Sequence, residues 1–115
     1  ELIADAQSEL IKDLRAPLCI PKLASMLDIS SRTLTRRFKS ATGVTMSAYL
    51  RERRLDEAQS LLRRTNLSVT EVGSTVGPPD PSNFTRMFRE QTGLTPTAYR
   101  AAVRQKAFAA IQRST

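Results

Sequence analysis

Two stretches of this chain are nearly the same, so whatever fold it adopts must contain two copies of one small element. Residues Thr35 to Tyr49 read TRRFKSATGVTMSAY and residues Thr85 to Tyr99 read TRMFREQTGLTPTAY. At a constant offset of 50, eight of these fifteen positions are identical: Thr35/Thr85, Arg36/Arg86, Phe38/Phe88, Thr42/Thr92, Gly43/Gly93, Thr45/Thr95, Ala48/Ala98 and Tyr49/Tyr99. The likeness continues upstream, where Ile20, Leu23, Ala24 and Leu27 are answered by Val69, Val72, Gly73 and Val76 at an offset of 49. A duplication of this length signals paired supersecondary units, each helical by its spacing.

At about 100° per residue, Leu34, Phe38 and Ala41 share one face of a helix. Arg32, Arg36 and Lys39 occupy the opposite face, flanked by Thr33 and Thr35. The second copy turns Phe84, Phe88 and either Gln91 or Met87 inward, and Ser82, Arg86 and Arg89 outward with Asn83 and Thr85 beside them. Each helix is half core and half basic, hydrogen-bonding surface. Arginines on one helix are commonly just solvated, but Arg36 and Arg86 recur at one register, each after a threonine. That recurrence favours a shared task.

A formal net charge of +7 and a pI near 10.5 point to an anionic partner, nucleic acid ahead of a membrane surface. No signal-peptide pattern and no apolar run of ~20 residues is present, so the chain reads as cytosolic. The single Cys19 lies between Leu18 and Ile20 and is expected to be buried as a small hydrophobe. The chain has no histidine and no glycine-rich phosphate loop, which argues against an enzyme and against a metal or cofactor site.

In chain order, Ile3, Ala6, Leu10 and Leu14 predict a first amphipathic helix over Glu1 to Arg15, stopped at Ala16-Pro17. Pro21 opens a second helix with Leu23, Ala24 and Leu27 inward, and Ser30 or Ser31 caps the third. Two helices joined by a short turn, the second basic outside, make the helix-turn-helix pattern. Gly43 ends the third helix in the left-handed conformation, and Thr45 caps a long fourth helix from about Met46 to Arg64. Met46, Leu50, Leu55, Ala58, Leu61 and Leu62 spread over about half its circumference, as expected of a strut between the copies. Arg54 falls inside that arc and is expected to pair with a carboxylate.

Ser68 and Glu71 fit a capping box for the fifth helix. Gly77 to Pro81 forms the second turn, with Asp80 as N-cap and Pro81 at the first position of the sixth helix. A seventh helix runs from Thr97 to about Ile111 with Tyr99, Ala102 and Val103 packed, leaving Phe108 and Ile111 without an evident partner.

The run RTLTRRFKSATGVTMSAYLRERRLDEAQSLL, with SVTEVGSTVG and DPSNFTRMFREQTGLTPTAYR after it, resembles the DNA-binding domain of AraC/XylS-type bacterial transcription regulators. The match extends from about Ser8 to Arg104. It includes the element Arg54, Leu55 and Ala58 and the ending from Phe88 to Arg100.

The resemblance implies an all-α, seven-helix domain in which two helix-turn-helix lobes, about 8–44 and 66–113, are joined by a linker helix at about 46–64. It further implies double-stranded DNA as the partner, with two recognition helices in successive major grooves. RNA polymerase is a further partner that the resemblance allows for. This stretch would be monomeric, and an effector and oligomerisation domain is expected ahead of residue 1. By position, Arg32, Thr33, Thr35, Arg36, Ser82, Asn83 and Arg86 would contact bases, and Ser31, Arg37, Lys39, Thr85 and Arg89 the phosphate backbone. Arg32 is answered only by Ser82, so the first lobe is expected to carry more of the discrimination.

Two positions depart from the family pattern. Pro78 stands where an aromatic is usual, and Gly73 where alanine is usual. A helix glycine costs about 1 kcal/mol against alanine, so the second lobe is expected to be looser. The alternative reading is a basic helical protein-interaction module, which predicts no preferred duplex sequence. An RNA binder is disfavoured because most of the six aromatics map to packed faces, leaving few platforms for unpaired bases.

Overall fold

The computed structural model describes residues 1–77 and 81–114, with the side chains of 81, 82, 113 and 114 outside that description. Among these residues the chain is all helix and turn: α1 (Leu2–Lys12), α2 (Ile20–Met26), α3 (Ser31–Thr42), α4 (Met46–Arg64), α5 (Val69–Val76), α6 (Pro81–Thr92) and α7 (Pro96–Ser114). Two compact units, Glu1–Arg54 and Leu55–Thr115, divide it, and their boundary falls inside α4.

Unit one begins with Glu1 as the cap of α1, its carboxylate accepting from the N–H groups of Ile3 and Ala4 at 2.9 and 3.1 Å. The helix buries Ile3, Ala6 and Leu10 but stops at Lys12, short of the expected Arg15. Asp13 accepts from the N–H of Arg15 at 3.1 Å, a local turn that competes with helical bonding. Leu14 is left only half-buried.

Cys19, expected to be buried, is exposed. Its backbone is extended, so alternate side chains point apart. Leu18 and Ile20 pack on the core while Cys19 faces away.

Ser30 caps α3, its Oγ accepting from the Thr33 N–H at 3.1 Å. At the other end Gly43 takes φ +83°, and its N–H donates to the Lys39 carbonyl at 2.8 Å. Gly93 repeats both features in unit two, with φ +83° and a 2.8 Å bond to Arg89. Thr45 and Thr95 cap the following helices, accepting from the N–H groups of Ala48 and Ala98. The capping box of α5 forms as expected, Ser68 and Glu71 each accepting from the other's N–H.

Among the described residues each unit gathers a core cluster of eight buried side chains. Unit one uses Ile3, Ala6, Leu10, Leu23, Ala24, Leu34, Phe38 and Met46; unit two uses Leu55, Ala58, Leu61, Leu62, Val72, Val76, Phe84 and Phe88. Phe38 meets Tyr49 edge to face at 5.5 Å, and Phe88 meets Tyr99 the same way at 5.4 Å. The apolar triplet of α1, Ile3, Ala6 and Leu10, recurs in α4 as Leu55, Ala58 and Leu62 at an offset of 52. All six apolar positions expected of α4 are buried. Its first nine residues therefore close unit one and its last ten open unit two.

Arg54 does not pair with a carboxylate. Its Nε donates to the Leu14 carbonyl and its Nη2 to the Ala16 carbonyl, both at 2.8 Å. Burial beside these uncharged acceptors holds its pKa below the ordinary arginine value. In unit two the work is shared. Arg100 donates to the carbonyls of Leu62 and Thr65, while Arg104 donates to the carbonyl of Thr65 and to Asn66. These cations satisfy carbonyls that the end of α4 leaves without helical partners.

Ala41 and Gln91 lie on the apolar face by angle yet are exposed, being near the helix end beyond the last core residue. Met87 is half-buried instead. Ala102 is likewise exposed, while Tyr99 and Val103 are half-buried. Gly73 is not a simple gap. A Cβ there would lie 3.0 Å from the Phe84 ring, so aromatic carbon fills the space a methyl would take. The expected roles of Pro78 and Asp80 lie outside the described residues.

Candidate nucleic-acid interface

The rotation of α3 about its axis is set by Leu34 and Phe38, both fully buried. Arg32, Arg36 and Lys39 consequently project on the solvent side, with Thr35 and Arg37 also exposed. Among the described residues, Arg32, Arg36, Arg37 and Lys39 make no hydrogen bond or ion pair with the protein. The helix has four cations and no anion, a charge of +4 over twelve residues. Like charges crowded on one short helix repel one another, and an anion laid across them relieves that repulsion.

Two candidates on α3 are less open. Ser31 is half-buried at the first helical residue. Thr33 is also half-buried, and its hydroxyl accepts from Ser30 Oγ at 2.9 Å, so the cap already uses part of its capacity.

Unit two sets α6 in the same way, through Phe84 and Phe88. Thr85, Arg86 and Arg89 are exposed, and Asn83 is half-buried. The Ser82 side chain lies outside the described residues. Two arginines and Glu90 leave α6 with a charge of only +1. The exposed Glu90, absent from the sequence-based site, stands where unit one has Ser40 and would repel a phosphate. The structure also joins two candidates that the sequence treats separately: Arg86 Nη2 donates to Asn83 Oδ1 at 2.8 Å. Their spacing of three on a helix permits the pair without dictating it, since Thr33 and Arg36 have the same spacing and form no bond.

Among the described residues no group of three or more Cys, Asp or Glu could hold a metal ion. No helix of those residues is long and apolar enough to cross a membrane.

The chain is similar to known proteins in sequence and in fold. A family model described as a helix-turn-helix domain matches residues 23–102. The HTH-type transcriptional activator RhaR of Escherichia coli strain K12 is 31% identical over 99 residues, which cover 86% of this chain and 35% of the activator. The chain thus spans about a third of that relative. The crystal structure of the DNA-binding domain of AdpA, a global transcriptional factor, in complex with a target DNA superposes with a TM-score of 0.85. It is 34% identical, covering 92% of this chain and 96% of that one. An AraC-type DNA-binding-domain regulator from Chromobacterium violaceum gives a TM-score of 0.80 at 30% identity, covering 87% and 89% of the two chains.

Proposed function

The chain belongs to the AraC-type helix-turn-helix family, and from that premise we propose that it binds double-stranded DNA sequence-specifically as the DNA-binding part of a bacterial transcription regulator. The observation that carries this reading is the α3 face. Four cations with no partner among the described residues stand on a helix whose rotation is fixed by two fully buried side chains. Their lack of internal partners matters because a guanidinium already paired with a carboxylate would have to give up that pair to take a base or a phosphate.

Arg32 and Arg36 lie one helical turn apart and suit bidentate contacts to guanine O6 and N7. Thr33 and Thr35 can reach a base or a thymine methyl. Ser31, Arg37 and Lys39 suit phosphates, which fix register without reading sequence. On α6, Arg86 takes the base-reading part, with Ser82, while Thr85 and Arg89 take phosphates. In this proposal the lobes at about 8–44 and 66–113, joined by the helix at 46–64, enter successive major grooves. The first lobe supplies most of the discrimination. Dimerisation and contact with RNA polymerase are assigned to the whole regulator.

Titration against a randomised duplex pool at two salt concentrations tests the reading. Enrichment of duplexes sharing two short elements about one helical turn apart supports it. Affinity that collapses with salt and enriches no sequence would leave a polyanion or protein binder instead.

A further inference from the structure

The two base-reading arginines that the repeat places at one register differ in what holds them. Among the described residues Arg36 in unit one makes no hydrogen bond with the protein, and the hydroxyl of Thr33, three residues before it, accepts from Ser30 Oγ. Arg86 in unit two donates through Nη2 to Asn83 Oδ1 at 2.8 Å. Asn83 in turn donates through Nδ2 to Met87 Sδ at 3.5 Å, and both Asn83 and Met87 are half-buried. The guanidinium of Arg86 is therefore tethered through Asn83 to a side chain partly sunk in unit two. Unit one has nothing equivalent, since its counterparts of Asn83 and Met87 are Thr33 and the exposed Arg37.

We propose that Asn83 is a positioning residue that holds Arg86 in one orientation for a guanine, and does not itself read a base. The proposal rests on the DNA-binding reading above. A guanidinium that has given one N–H to Asn83 still has enough donors for the N7 and O6 of a guanine. Fixing a long side chain before binding removes part of the ordering cost that a free arginine meets on the DNA. The benefit is largest where charge is least, and α6 has a charge of +1 against +4 on α3. Orientation thus compensates, in unit two, for the scarcity of cations.

The test is a competition titration of the whole chain against the selected duplex and against duplexes substituted at each position of the α6 element. Parent, Arg86→Ala, Asn83→Ala, Asn83→Asp and the Arg86→Ala/Asn83→Ala double variant are compared, with thermal unfolding run beside each. Arg86→Ala should erase a guanine preference of about 10- to 100-fold at one position. Asn83→Ala should lose roughly 3- to 10-fold of preference at that same position and no other. The double variant should be no worse than Arg86→Ala. Asn83→Asp keeps an acceptor for the guanidinium, so it should retain the preference while lowering affinity for every duplex through its added charge. An Asn83→Ala effect at a different base pair, additive with Arg86→Ala, would overturn the proposal, because Asn83 would then read a base of its own. An unchanged preference in folded Asn83→Ala would overturn it too. A parent chain with no preference at any position overturns the DNA reading itself, and this inference with it.

Discussion

Ala24 and Leu34 in unit one stand where Gly73 and Phe84 stand in unit two. The first pair is a methyl and a branched aliphatic in one core. The second is no side chain beside a ring, with the Phe84 ring filling the volume a Cβ would need. Both pairs are solutions to one packing problem, since interiors close to native density whether the larger residue sits on one helix or the other. The same contrast recurs where each unit anchors its turns. Arg54 alone serves two carbonyls in unit one, whereas Arg100 and Arg104 share the task in unit two, Arg100 standing where unit one has the buried Leu50. On the outer faces, unit one has four free cations and unit two has fewer cations, one of them tethered. The duplicated fold is thus kept while its means of support have diverged.

The anchoring contrast gives the largest expected effect. Arg54→Met keeps the apolar stem but strips two carbonyls of their donors, and should cost about 2 kcal/mol in denaturant unfolding. Arg104→Met should cost about half as much or less, because Arg100 still donates to Thr65. Equal costs would mean that the arginines of unit two do not back each other up.

A smaller effect tests the packing exchange. Gly73→Ala gains helix propensity, about 1 kcal/mol, but drives a methyl against a buried ring, an overpacking usually worth 1–3 kcal/mol. The net expectation is a loss of about 1 kcal/mol. Adding Phe84→Leu recreates the Ala24/Leu34 pair of unit one and should recover much of it. A Gly73→Ala chain more stable than the parent would show that the two positions are not complementary.

The smallest effect is electrostatic. The Ser68 backbone N–H, followed by the Ser68 hydroxyl, holds the Glu71 carboxyl below the ordinary glutamate value. A pKa depressed in the folded state adds stability that is present above the unfolded value, about 4.3, and is lost as pH falls through the folded one. Acid should therefore loosen the start of α5, where α3 has a Ser30–Thr33 cap that does not titrate. Amide exchange at α5 should show this, and Glu71→Gln should remove the pH dependence.

Much of this was legible because local rules leave local marks. The duplication, the bounds of α4 with its six buried positions, the left-handed Gly43 and the Ser68–Glu71 box all follow from spacing and residue type. The partner of Arg54 was not legible, because it bonds to main-chain carbonyls, which every residue carries. Cys19 was misplaced since an apolar triplet says nothing about extended backbone. Gly73 reads as a weakness by helix propensity alone, yet the Phe84 ring fills its place, a contact between two helices that no single-helix count includes. On the interface, the charged stripe of α3 was readable from angle alone. The Arg86–Asn83 bond was not, for the same spacing at Arg36 and Thr33 forms no bond.

The most direct test of two alike but unequal readers is to repeat the randomised-duplex selection with Arg36→Ala and Arg86→Ala beside the parent. Each variant is predicted to relax one element and leave the other, with Arg36→Ala causing the greater loss of discrimination. Relaxation of the same element by both, or a greater loss from Arg86→Ala, would contradict the account.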